Sequence, residues 1–133
     1  MNANVSNTAV LVGRILLATL FILSGFGKIA GYEGTAGYMA SKGMPLVNVL
    51  LPAAIAIELG GGLLLALGYK ARWAALAIFL FLIPTTLIFH AFWGIDPKEA
   101  ATQQINFLKN VSIMGGMLMV FAHGPGRYSL DKQ

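Results

Sequence analysis

Four ionisable side chains, Arg14, Glu58, His90 and Lys109, each stand inside an otherwise apolar stretch of this 133-residue chain. A charge at the centre of a bilayer costs roughly 2.5–3.5 kcal/mol on insertion scales, so such groups face a protein interior, pair with one another and mark a site. An arginine and a carboxylate at compatible depth can neutralise each other with bidentate geometry. Arg14 and Glu58 are therefore expected to form an intramembrane ion pair, which would either take part in chemistry or clamp helix register. His90 and Lys109 are expected to form a second polar layer. With Trp93, Asn106 and Asn110 they make a candidate ligand pocket near the opposite surface, although both could also snorkel to the interface.

The elements that must carry these residues follow from composition. Hydrophobic residues make up 57% of the chain and charged residues 11%, with a mean hydropathy of +0.75; an ordinary soluble domain has about 45–50% apolar and about 25% charged residues. An integral membrane protein is implied. The length of 133 residues suits one domain, 1–133, of four spans of about 20 residues each with short loops. The spans are expected at about 8–27, 46–67, 73–93 and 104–122, an all-α four-transmembrane-helix bundle. A retained first helix is preferred to a cleaved signal peptide, because no basic segment precedes it and Arg14 interrupts it. Between the first two spans, Glu33 to Lys42 followed by Gly43 and Pro45 reads as a short interfacial helix with a glycine C-cap and a proline stop. Pro84 should kink the third span.

Helical periodicity groups the candidates. Arg14, Ala18, Phe21, Gly25 and Lys28 recur at i, i+4, i+7 and share one stripe. Glu58 shares another with Gly61 and Gly62, whose size permits close helix approach in lipid. Thr86, His90 and Trp93 form one face of the third span; Asn106, Lys109 and Asn110 form one of the fourth. At about 1.5 Å of rise per residue, Arg14 and Glu58 would lie about 9 and 14 Å from the same surface. Lys70, Arg72, Arg127 and Lys132 fall on one side, against Lys28, Lys42 and Lys98 on the other. That balance favours both termini in the cytoplasm.

Several classes are disfavoured. The net charge of +4 comes from scattered residues rather than a cluster, so anionic lipid and positive-inside placement account for it better than nucleic acid. With no cysteine, the chain alone cannot build a disulfide relay, thiolate metal site or iron–sulfur cluster. Two histidines at the ends of different spans give poor support to a bis-histidine haem, and Met114, Met117 and Met119 read as core filler rather than metal ligands. No metal and no intrinsic cofactor are expected.

The fragments Gly13-Arg14, Ser24-Gly25-Phe26-Gly27-Lys28, Gly43-Met44-Pro45, Glu58-Leu59-Gly60-Gly61-Gly62, Phe89-His90-Ala91-Phe92-Trp93, Phe107-Leu108-Lys109-Asn110 and Gly124-Pro125-Gly126-Arg127-Tyr128-Ser129-Leu130-Asp131, in this order, resemble the DoxX family of small bacterial inner-membrane proteins. The resemblance covers nearly the whole chain. It implies a four-helix membrane protein, and it associates the chain with thiosulfate or quinol oxidation and with oxidative-stress complexes. Three functions stay open on that basis. One is an accessory membrane subunit that docks a redox protein partner or a homo-oligomer. Another is a quinone-binding oxidoreductase subunit, with His90 or Lys109 on a quinone carbonyl and Glu58 relaying protons. The last is a small-solute transporter, for which no inverted repeat is visible.

Overall fold

The computed structural model describes residues 1–131, so Lys132, counted above for orientation, lies outside the described residues. These residues are helical without strands: α1 (Ala3–Ala30), α2 (Tyr32–Ser41), α3 (Val47–Ile55), a π-helical turn (Ala56–Gly60), α4 (Gly61–Leu67), α5 (Ala71–Phe89) and α6 (Pro97–His123). The segments from Val47 to Leu67 are continuous. They make, with α1, α5 and α6, four helices long and apolar enough to cross a membrane. The short helix expected between the first two spans is α2.

Capping explains where the helices outrun the expected spans. Asn2 accepts a hydrogen bond from the Val5 amide at 2.9 Å, so α1 starts at Ala3 rather than near Thr8. Asp96 accepts from the Lys98 amide at 3.0 Å with Pro97 in the first helical position, an arrangement that suits a helix start because proline's missing donor is not needed there. The fourth span therefore begins well before Gln104, and the loop before it is shorter than the ten residues the sequence suggested. The third helix ends at Phe89, leaving Trp93 in the connection rather than on the helix. Pro84 sits inside α5.

The stripe read on the first span is the buried face of α1: Arg14, Ala18, Phe21 and Gly25 are its buried residues. Glycines set its register. A Cβ on Gly25 would lie 2.8 Å from the Leu59 Cβ and 3.0 Å from its amide nitrogen, so the α1 backbone lies directly against the π turn. Gly62 meets Ile22 and Ala18 in the same way. The core of Ala18, Phe21, Leu65, Ala71, Ala75, Ile78, Leu82 and Met117 fills the half of the bundle toward the termini. Residues 124–131 close that end. Leu130 and Asp131 donate to the carbonyls of Leu67 and Gly68 at 3.2 and 2.9 Å, and the Asp131 carboxylate accepts from the amides of Lys70 and Ala71 at 2.6 and 3.0 Å. Those amides open α5, where donors lack intrahelical partners.

Candidate functional site

The polar groups separate into two layers at opposite ends of the bundle. At the terminal end, the buried Arg14 head donates to three carbonyls: Pro125 through Nη1, and Ala66 at 3.3 Å and Tyr128 at 2.9 Å through Nη2. Its Nε has no partner among the described residues. The Ala66 carbonyl lies in the last turn of α4, whose acceptors cannot be satisfied within the helix. Arg14 thus ties the end of the second span to the C-terminal segment.

The expected Arg14–Glu58 pair does not form. Glu58 pairs with Lys28, Nζ to Oε1 at 2.9 Å and to Oε2 at 3.2 Å. The reason is register. Gly25 abuts Leu59 and Arg14 lies beside Gly68, so Glu58 is level with the last turns of α1. Arg14 and Lys28 are 14 residues apart, about 21 Å along the helix. Lys28 closes the stripe that begins at Arg14, and that was the sequence signal for the true partner. Glu58 sits in the π-helical turn, a local widening of the helix that is frequent at functional positions.

Beside this pair lies a cavity of about 550 Å³, walled by the end of α1, by α2, α3 and the π turn, and by α5. Its lining is mainly apolar, with Met39, Ala54, Ile57, Phe81, Ile88 and Phe89, and its polar members are Lys28, Thr35, Tyr38, Glu58, Thr85 and His90. The volume falls in the range of small-molecule sites, about 300–1,000 Å³, and an apolar wall with a few placed polar groups is their usual make-up. The α2 helix roofs it: the Tyr38 ring stacks on Phe89, centroids 5.6 Å apart.

Of the five residues expected to form a pocket, only His90 lines this cavity. The α5–α6 seam where the others were expected to converge is closed by direct bonds. Asn110, buried, donates to Thr86 Oγ1 at 3.1 Å, and His90 Nδ1 meets Gln103 Oε1 at 2.9 Å. Trp93, more than half exposed, packs edge-on against Phe92 and Phe107 with centroids 5.4 and 6.0 Å away. Asn106 is half-buried and Lys109 is exposed. The pocket lies instead on the other side of α5, where α2 stands between the first two spans. Lys28, Thr35, Tyr38 and Phe81 were missed, and of these only Lys28 carried a periodic signal.

Four membrane-length helices, the first three of which wall a polar-seeded cavity together with α2, define a multi-pass integral membrane protein. The DoxX family model matches residues 9–91, and the chain belongs to that family. It is 40% identical over 126 residues to the inner membrane protein YqjF of Escherichia coli K12, covering 95% of this chain and 92% of that protein. It is 36% identical to the inner membrane protein YphA of the same strain, over 92% of this chain and 88% of that one. A Surfeit locus protein 4 homolog of Schizosaccharomyces pombe is 29% identical over 92% of this chain but only 36% of its own length. No solved structure matches this chain. Two inner-membrane relatives matched over most of their length, together with four apolar helices, place the protein in the inner membrane.

Proposed function

We propose that this DoxX-family protein holds a quinone-class head group in the cavity beneath α2, as an accessory membrane subunit that presents the bound ring to a redox partner. The observation that carries this is the 550 Å³ cavity with the Lys28–Glu58 pair on its wall. An apolar chamber bounded by Phe81 and Phe89 suits a flat ring, and fixed polar groups at separate points of the wall suit oxygens on its edge. Neither the redox partner nor turnover by this chain is needed for binding, so binding is the direct test. The protein in nanodiscs, titrated calorimetrically with duroquinone and duroquinol, should bind at least one of them. Ala53→Trp, which projects a large side chain into the cavity, should abolish the heat of binding without unfolding the bundle. Binding that survives Ala53→Trp unchanged would move the site elsewhere.

Orientation belongs to the same proposal. The end that holds the termini exposes Lys70, Arg72 and Arg127, against Lys42 and Lys98 exposed at the opposite end, where Lys28 is drawn into the bundle by Glu58. The positive-inside tendency then puts both termini in the cytoplasm and the cavity toward the outer surface. A reporter fused after Lys70 should register as cytoplasmic and one fused after Pro97 as periplasmic; the same compartment for both would refute the topology.

A further inference from the structure

We infer that α2 is a gate rather than a fixed wall, and that the stack of Tyr38 on Phe89 is the latch that keeps it shut over the cavity. What passes the gate rests on the quinone-class reading above; the gate itself does not. Thr35, Tyr38 and Met39 of α2 line the cavity, as does Met44 in the connection that follows. Glu33 and Lys42, the charged residues beside them, are exposed, so the outer side of α2 belongs to the polar membrane surface. Lifting the helix joins the cavity to that surface.

Little holds α2 down. Among the described residues no side chain of α2 hydrogen-bonds or ion-pairs with another helix, and the Ser41 hydroxyl turns back on the Tyr38 carbonyl at 2.6 Å. Met39 is its buried residue. The helix is also weak in itself: its 10 residues are too few to stay helical alone in water, and Gly34 and Gly37 lower its stability further relative to alanine. Packing calls for neither glycine, since a Cβ at either would meet nothing within 4 Å. Both ends can turn. Gly31 opens the helix without a side-chain cap, and the connection to α3 passes through Gly43 and Leu46 at φ of 78° and 55°, element-terminal positions of the kind that absorb hinge motion.

What fastens α2 to α5 is aromatic. The Tyr38 and Phe89 rings lie with centroids 5.6 Å apart and planes at 27°, within the range where stacked pairs attract. Lys42, one turn on, sets its ammonium 5.6 Å from the centre of the Tyr38 ring; that contact steadies the ring from within α2 and moves with it. Tyr38 is 48% exposed. The latch therefore sits at the rim, where it can part without disturbing the core, and Met39 is an unbranched thioether that repacks readily when the helix lifts.

The sequence has no cysteine, so a thiol placed in the cavity reports opening without any ligand. Ala54, buried on the cavity wall, is replaced by cysteine, and Ala54→Cys in nanodiscs is treated with a cationic methanethiosulfonate reagent that does not enter lipid. Labelling should be slow. Adding Tyr38→Ala should quicken it about two- to tenfold, the factor that loss of such a stack releases. Phe89→Ala should do the same, and the two together should exceed either by no more than about twofold, because the rings form one latch. Trp93→Ala, which breaks a neighbouring aromatic contact, should leave the rate as it was. The gate is overturned if neither ring variant quickens labelling, if their effects multiply, or if Trp93→Ala quickens it equally. Saturating duroquinone or duroquinol should shield the thiol. Labelling that quickens in the ring variants but is slowed by neither compound leaves the gate standing and removes the quinone-class reading.

Discussion

Replacing Lys28 by methionine should destabilise the protein by about 3 kcal/mol, because it strands the Glu58 carboxylate in the bundle without a counter-ion. The side chains are unequal: that of Glu58 is 4% exposed and that of Lys28 27%. Glu58→Gln should therefore cost less, about 1–2 kcal/mol, since the released ammonium can extend along its apolar stem toward the surface. In the double variant Lys28→Met with Glu58→Gln no charge remains to be solvated, and part of the loss should return as a coupling of at least about 1 kcal/mol. Arg14→Gln combined with Glu58→Gln should behave differently, adding within about 0.5 kcal/mol, because the two residues share no partner and lie far apart. Thermal or denaturant unfolding of the six proteins in one detergent measures both cycles. Additivity in the first cycle, or coupling in the second, would contradict the register described here.

That contrast shows what could be read from residue order and what could not. Hydropathy located the four spans, because exclusion of charge from lipid acts on each segment separately. Gly43 and Pro45 located the end of α2 for the same reason, since turn chemistry is local. Even the buried face of α1 was legible, as the stripe from Arg14 to Lys28. The partner of Glu58 was not, because it depends on how far α1 slides along the second span, and that is decided by the contact of Gly25 with Leu59. The cavity was less legible still. Thr35 and Tyr38 on α2 share a cavity with Phe81 on α5 and His90 just past its end only after α2 has folded back over the bundle, and no periodicity in either helix announces that. His90 and Asn110 were read as ligand-binding groups because they are polar in apolar company. Asn110 instead bonds Thr86 and seals the α5–α6 seam, the commoner fate of a polar residue between two membrane helices.

The resemblance motif at the C-terminus has the same structural logic, and it leads to the second large expected effect. Gly124 and Pro125 are buried, and Asp131 caps the amides that open α5, but Arg14 joins this segment to the second span. Three carbonyls on two chain segments converge on one guanidinium, which a planar fork of donors can serve and a single ammonium cannot. Arg14→Leu should cost about 3–5 kcal/mol, as each buried carbonyl loses a charge-assisted bond. Arg14→Lys should recover less than half of that, since one rotating ammonium cannot reach all three acceptors in the same directions. Asp131→Ala should cost about 1 kcal/mol, a lost helix cap. The distinguishing readout is local: in Arg14→Leu the segment after His123 should become sensitive to limited proteolysis while the four spans stay protected, and ligand binding about 21 Å away beside Lys28 should be retained. If that segment stays as resistant to protease in Arg14→Leu as in the wild type, Arg14 does not hold it, and the burial of its charge serves some other purpose.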